Sequence, residues 1–329
     1  MKKLSGWQKA GLFVGVGCFS IVALAVLALV IAVVWARSTL ADVGDTTPTK
    51  VERAIALPET PAPVPAAPAG AGPGAPATAA EPLRLTIDLE EGDFTVQPDP
   101  AGSQVQVQGM FSPNLYELTE DRAAADGGPS RTTIRFRSKA PAWARVLAGF
   151  GGGGAAARPQ LTVVIPEGVP IELNLRLSMG ESRVDLGGLA LRNLDVEVSM
   201  GEHRIDFTRP VTGELGRVRL DANMGNIAVS NLGNARALAV EASGNMGNLT
   251  ADLGGAWQPG ADPELKFSHN MGELTVRVPM GVRLDSDIRN EQGENQGSRT
   301  DSAERVDANA PHVRLRISTS MGGSRVIRY

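Results

Sequence analysis

The chain has 329 residues and a formal net charge of −4, with 32 Lys and Arg against 36 Asp and Glu. So even a balance implies no polyanionic partner, and an aromatic content of 4% leaves too few rings to read nucleic acid by base stacking. Cys18, the single cysteine, can form no intrachain disulfide, so the compartment must be read from topology.

Residues 1–9 carry Lys2, Lys3 and Lys9 and form the expected cytoplasmic N-terminus. Ala10 to Ala36 is an apolar run of 27 residues without a charge. As a helix it would be about 40 Å long, against ~30 Å of hydrocarbon. Lysines before it and Asp42 and Asp45 after it predict a single-pass anchor in the cell (inner) membrane, with the remainder extracytoplasmic or periplasmic. Trp7 and Trp35 bracket the run as interfacial residues do. A cleaved signal peptide would have a much shorter apolar core. Cys18 lacks the leucine of a lipoprotein box, because Gly15 stands in its place. Gly11 and Gly15 have the small-xxx-small spacing through which membrane helices dimerise, so a homodimer through them is one expectation.

Residues 37–82 are rich in Ala, Pro and Gly and are expected to be a disordered linker, because Pro fixes φ and removes backbone donors. At Leu83 the pattern changes to period two, in Leu83 to Leu89 and again in Gln104 to Gln108. Further strands are expected at Thr132 to Arg137, Leu161 to Ile165 and Leu173 to Leu177, and no amphipathic helix is visible. Two loop insertions are read at about 113–130 and 140–158. The second holds Trp143, Leu147 and Phe150, which would either cover an end of the β array or dock a partner.

One motif then recurs six times: Met179-Gly180, Met200-Gly201, Met224-Gly225, Met246-Gly247, Met271-Gly272 and Met321-Gly322. The first five are separated by 21, 24, 22 and 25 residues, the last by 50. Such a period means a small unit stacked on itself. Each unit reads as strand, Met-Gly corner, strand and variable turn, with Glu91-Gly92 a degenerate first copy. Glycine supplies the corner conformation, and alternate apolar residues point inward onto the next rung. The fold class is therefore all-β: a single-stranded β-solenoid or stacked-sheet domain of ~21–25-residue rungs over residues 83–329.

The methionines raise Cu(I) binding, since thioethers are soft ligands. A methionine on every rung is also what a stacked core ladder would show, and packing at the core or the corner is preferred, with no metal or cofactor expected. Asp185, Asp206 and Asp252 recur at equivalent places and raise a polysaccharide-cleaving β-helix. Asp185 lies beside Arg183 and Asp206 beside Arg204 on the outward strand face, which describes a solvated face better than a catalytic dyad. No phosphate loop, nucleophile elbow or HExxH motif occurs.

The rungs from Gly180 to Phe207, the segment Leu232 to Trp257, and the LTVxVPxGV-like stretches Leu161 to Val169 and Leu274 to Val282 together resemble the toast-rack and LiaF-like cell-envelope domains. Related adhesin-like (DUF4097-like) β-solenoids are similar too. The resemblance implies a non-enzymatic, membrane-anchored envelope domain whose partner is an envelope protein or cell-wall polymer, with a part in envelope-stress sensing. A carbohydrate-active β-helix enzyme and a surface adhesin are the alternatives.

Overall fold

The computed structural model describes residues 47–57, 82–123, 130–139, 158–290, 298–300 and 310–329, together with Leu27, Ala28, Val30, Ile31 and Val34. Those five are helical and exposed. The rest of the expected membrane span 10–36, with Gly11, Gly15 and Cys18, lies outside the described residues, as do Trp143, Leu147 and Phe150. Among the described residues no helix is long and apolar enough to cross a membrane.

The all-β expectation holds. Six long strands form a parallel stack: β2 (Leu83–Asp99), β7 (Ile171–Asp185), β8 (Leu191–Asp206), β9 (Arg217–Ser230), β10 (Ala239–Asp252) and β11 (Glu264–Val278). Each runs continuously through its corner, so a rung is one bent strand and not two separate ones. Pairing keeps the corners in register, Gly92 to Gly180, Gly180 to Gly201, Gly201 to Gly225, Gly225 to Gly247 and Gly247 to Gly272.

The bend shows in the inward residues. The last inward position before the corner and the first after it are five apart on successive rungs: Leu177 and Ser182, Val198 and His203, Ala222 and Ile227, Gly244 and Leu249, His269 and Leu274. An odd step puts two residues on opposite faces of a straight strand. Here the corner reverses the face, so both arms turn the same side toward one core.

Glycine is required at that reversal. Gly180, Gly201, Gly247 and Gly272 have φ of +125°, +129°, +114° and +127°. Each lies against the glycine carbonyl of the rung before: a Cβ on Gly201 would sit 1.8 Å from the Gly180 oxygen, and one on Gly272 1.7 Å from that of Gly247.

The 50-residue gap before the last copy has a topological cause. After β11 the chain makes β12 (Arg283–Asn290) and β13 (Ser298–Thr300), then returns as β14 (His312–Arg328). β14 inserts between β11 and β12, and Met271-Gly272 lies directly beside Met321-Gly322. The sixth copy is thus the next rung in space, with β12 beyond it.

At the other end the two arms separate. β5 (Arg131–Ser138) and β4 (Tyr116–Ala123) extend the first-arm sheet, while β6 (Gln160–Pro166), β3 (Gln104–Phe111) and β1 (Thr49–Ala56) extend the second. Phe136 closes the space between them. Its ring lies 5.0 Å from Phe111 and 6.3 Å from Phe94, both edge-on, and stacks on Tyr116 at 5.2 Å. These four are half of the eight aromatic rings of the domain among the described residues.

Two expectations are corrected here. The linker 37–82 contains β1, which pairs antiparallel along all of β3 and buries Ile55. Thr49 to Ala56 has no proline, and the donors that proline removes elsewhere are present here. The insertion 113–130 contains β4, whose polar sequence reflects a strand buried on one side at Leu118. Polarity alone marked neither segment as strand.

Candidate functional site

The sequence-derived candidates lie at the corner. Each glycine occupies the bend, and the methionines sit in register beside them, Met179 to Met200 to Met224 to Met246 to Met271 to Met321. They are not core residues. Met200, Met224 and Met321 are 40%, 39% and 53% exposed, and Met179, Met246 and Met271 are half-buried. The face reversal puts the inward positions one residue before Ser178 and two after Gly180, so the methionine projects from the outer edge of the bend. Of the two expected placements, core and corner, the residues take the corner, as an external ridge.

Inside the bend stand two buried histidines that the sequence reading did not single out. His203 accepts a hydrogen bond at Nδ1 from Ser182 (2.9 Å) and donates from Nε2 to the Met200 carbonyl (3.3 Å). Burial lowers its pKa, partly offset by the Met200 carbonyl, so the ring is neutral. His269 donates from Nε2 to the Gly247 carbonyl at 2.9 Å. Its Nδ1 occupies the space that a side chain at Gly244 would fill, since a Cβ there would lie 2.2 Å away. Loss of the side chain on one rung is what admits the ring of the next.

The recurrent aspartates are structural ties. Asp185 accepts from the Gly187 amide in its own turn (2.9 Å) and from the Thr208 hydroxyl in the next (2.8 Å). Asp206 accepts from Asn231 Nδ2 at 2.7 Å. Asp252 accepts from the Gly254 amide (2.8 Å) and from the hydroxyl of the C-terminal Tyr329 (2.6 Å). That last bond, with burial, raises the Tyr329 pKa. Among these residues nothing forms a carboxylate pair facing open space.

Open space is found instead on the outer face of the first arm. Three depressions lie there, of about 810, 410 and 300 Å³. The largest crosses β9, β10, β11, β14 and β12. Pairing sets Asp221, Ser243, Ser268, Ser318 and Arg289 in one row across it, and Arg219, Glu241, Lys266, Arg316 and Asp287 in the next. Its carboxylates are neutralised locally: Asp221 by Arg219 (2.7 Å) and Ser243, Asp287 by Arg289 (2.8 Å), and Glu241 by Arg217. Lys266 and Arg316 share the single carboxylate of Glu264, at 3.6 and 3.0 Å. The centre of the groove is therefore a serine floor with an excess of positive charge. Each residue type is ordinary on a strand; only the stacking register collects them, which is why the sequence did not reveal the groove.

Residues 74–225 match the model of the N-terminal domain of toast_rack, DUF2154. Over these residues the chain is similar to toast-rack domains. The match runs from before β2 to the corner of β9, and β10, β11 and β14 continue the same rung beyond it. No curated protein matches the chain. Among solved structures, a candidate cell adhesion protein from Clostridium sporogenes aligns with a TM-score of 0.37 at 10% identity, over 86% of this chain and 100% of that one. A candidate adhesin from Bacteroides fragilis gives 0.37 at 13%, over 85% and 97%. One from Parabacteroides distasonis gives 0.27 at 12%, over 87% and 98%. Likeness of this degree establishes neither fold nor function for this chain.

Proposed function

We propose that this protein is a non-enzymatic, toast-rack-like module of the cell envelope, anchored through residues 10–36, which binds an extended cell-wall polymer along the outer face of its first arm. The observation that supports the reading is the three depressions on that one face. They run across the strands, so a linear partner would cross several rungs, each about 4.8 Å from the next. The serine floor offers hydroxyl groups to a polyhydroxylated chain, and Lys266 and Arg316 favour one bearing carboxylates. The carboxylates available for hydrolysis in the enzyme alternative are occupied in holding turns. Envelope-stress sensing would follow if polymer occupancy altered a second interaction of the anchored chain.

The test is cosedimentation of the full chain, in detergent, with purified cell-wall sacculi. Lys266→Glu with Arg316→Glu is expected to weaken binding at least tenfold, while Arg183→Glu with Arg204→Glu on the second arm leaves it unchanged. Wild-type protein remaining in the supernatant, or equal loss in both variants, would overturn the proposal.

A further inference from the structure

The six methionines of the corner have no role in packing the core, and the fold does not demand them. Glu91 occupies the equivalent place beside Met179, so the position tolerates a charged residue. Gly92 next to it has a positive φ of +144°, as Gly180, Gly201, Gly225, Gly247 and Gly272 do. What the array achieves is a line of thioethers on consecutive strands, about 4.8 Å apart.

The surroundings suit a cation. The row before the ridge is Ser199, Asn223, Asn245 and Asn270 over its middle rungs, all neutral. Two side-chain amide bonds link its asparagines, Asn245 to Asn223 (3.2 Å) and Asn270 to Asn245 (3.0 Å). The row after it is Glu202, Asn226, Asn248 and Glu273 over the same rungs. Neither row carries a basic residue there. Thioether sulfur is a soft, uncharged donor that selects Cu(I) over Zn(II), Mg(II) or Ca(II). Three torsions per side chain let sulfurs on adjacent rungs turn toward a shared ion.

We propose that the ridge is a binding site for a soft monovalent metal ion, Cu(I) or its analogue Ag(I), centred on Met200, Met224 and Met246. Coordination by neutral thioethers leaves the ion's charge uncompensated; the nearest carboxylate is Glu202 beside Met200, which also pairs with Arg204. The site needs no rearrangement of the backbone, because strand pairing already brings the three residues into one line. The methionines lie outside the largest depression of the polymer face, although the asparagine row on their flank also lines the smallest of the three.

The experiment uses the full chain in detergent with Cys18→Ser, which removes the only thiol. Cu(I), held anaerobically by a chromophoric chelator, is titrated against this protein and against Met200→Leu/Met224→Leu/Met246→Leu. The swap conserves volume and leaves the rungs intact, as circular dichroism would verify. The parent is expected to withdraw Cu(I) from the chelator and the variant to do so at least tenfold more weakly. Zn(II) should bind neither. As a check that needs no variant, Ag(I) should shift the ε-methyl NMR signals of Met200, Met224 and Met246 and leave those of Met110 and Met280 in place. Failure of the parent to compete, equal uptake by the variant, or no selective methyl shift would overturn the site.

Discussion

At the residue scale, the corner glycine carries most of the fold. Its positive φ and the carbonyl beneath it act together, so Gly201→Ala must both strain the backbone and push apart two rungs. We expect a loss of more than about 3 kcal/mol, or no folded protein. Gly168→Ala, where nothing lies within 4 Å, should change stability by less than about 0.5 kcal/mol. Chemical denaturation of the two variants measures the contrast. These glycines were legible in the sequence because each repeats beside a methionine. For the methionine, residue type left core and corner open, and only the five-residue step across the bend shows that it points out.

His203 supplies the pH dependence. Its folded pKa lies below the ordinary value, so the unfolded chain takes up the proton first. Its contribution is fully present above about pH 6.5 and is lost as pH falls toward the folded value. Stability measured from pH 8 to 5 should therefore fall, and Ser182→Ala with His203→Ile should flatten that fall. An unchanged slope would show that the ring is not buried neutral.

At the scale of the element, successive turns are tied by side chains whose partners are a rung away. Asn234 lies in a single helical turn, α1 (Leu232–Ala235), between β9 and β10. Its Nδ2 donates to the Phe207 carbonyl (2.7 Å), and its Oδ1 accepts from the Ala256 amide (2.7 Å). It is buried and joins three consecutive turns. Asn234→Ala would leave the carbonyl of buried Phe207 without this partner, at a cost of about 1–3 kcal/mol, while the amide of exposed Ala256 could turn to solvent. A large drop in Tm is expected, and Asn234→Asp should restore little of it because the donor to Phe207 is lost. Such ties are invisible in sequence: Asn234 belongs to the variable turn, and its partners are 27 and 22 residues away. The alternation of β7 to β11 was legible, since one face is buried. β1 and β4 were not, because edge and end strands keep a polar face outward.

At the scale of the molecule, a stack of rungs needs its ends closed, and here the two ends differ. One arm pair opens into two sheets around Phe136, and the other end is extended by β12 and β13 on the first arm. Phe136→Ala should cost about 3–5 kcal/mol. Because rungs interact mainly with their neighbours, hydrogen exchange should rise first in β1 to β6 and least in β9 to β11. Uniform loss of protection would argue for one cooperative unit.

The same stacking builds the groove. Row by row it gathers Ser243, Ser268 and Ser318 into a floor, and Lys266 and Arg316 around one carboxylate. Family resemblance pointed to an envelope module without naming a face. The proposal places the polymer on the face that carries the depressions. A photocrosslinker placed at Ser268, on the groove floor, and in a separate protein at Thr275, on the outer face of the second arm, tests this most directly. The account predicts crosslinks to cell-wall polymer from Ser268 and none from Thr275. Crosslinks from Thr275 alone, or from neither position, would contradict it.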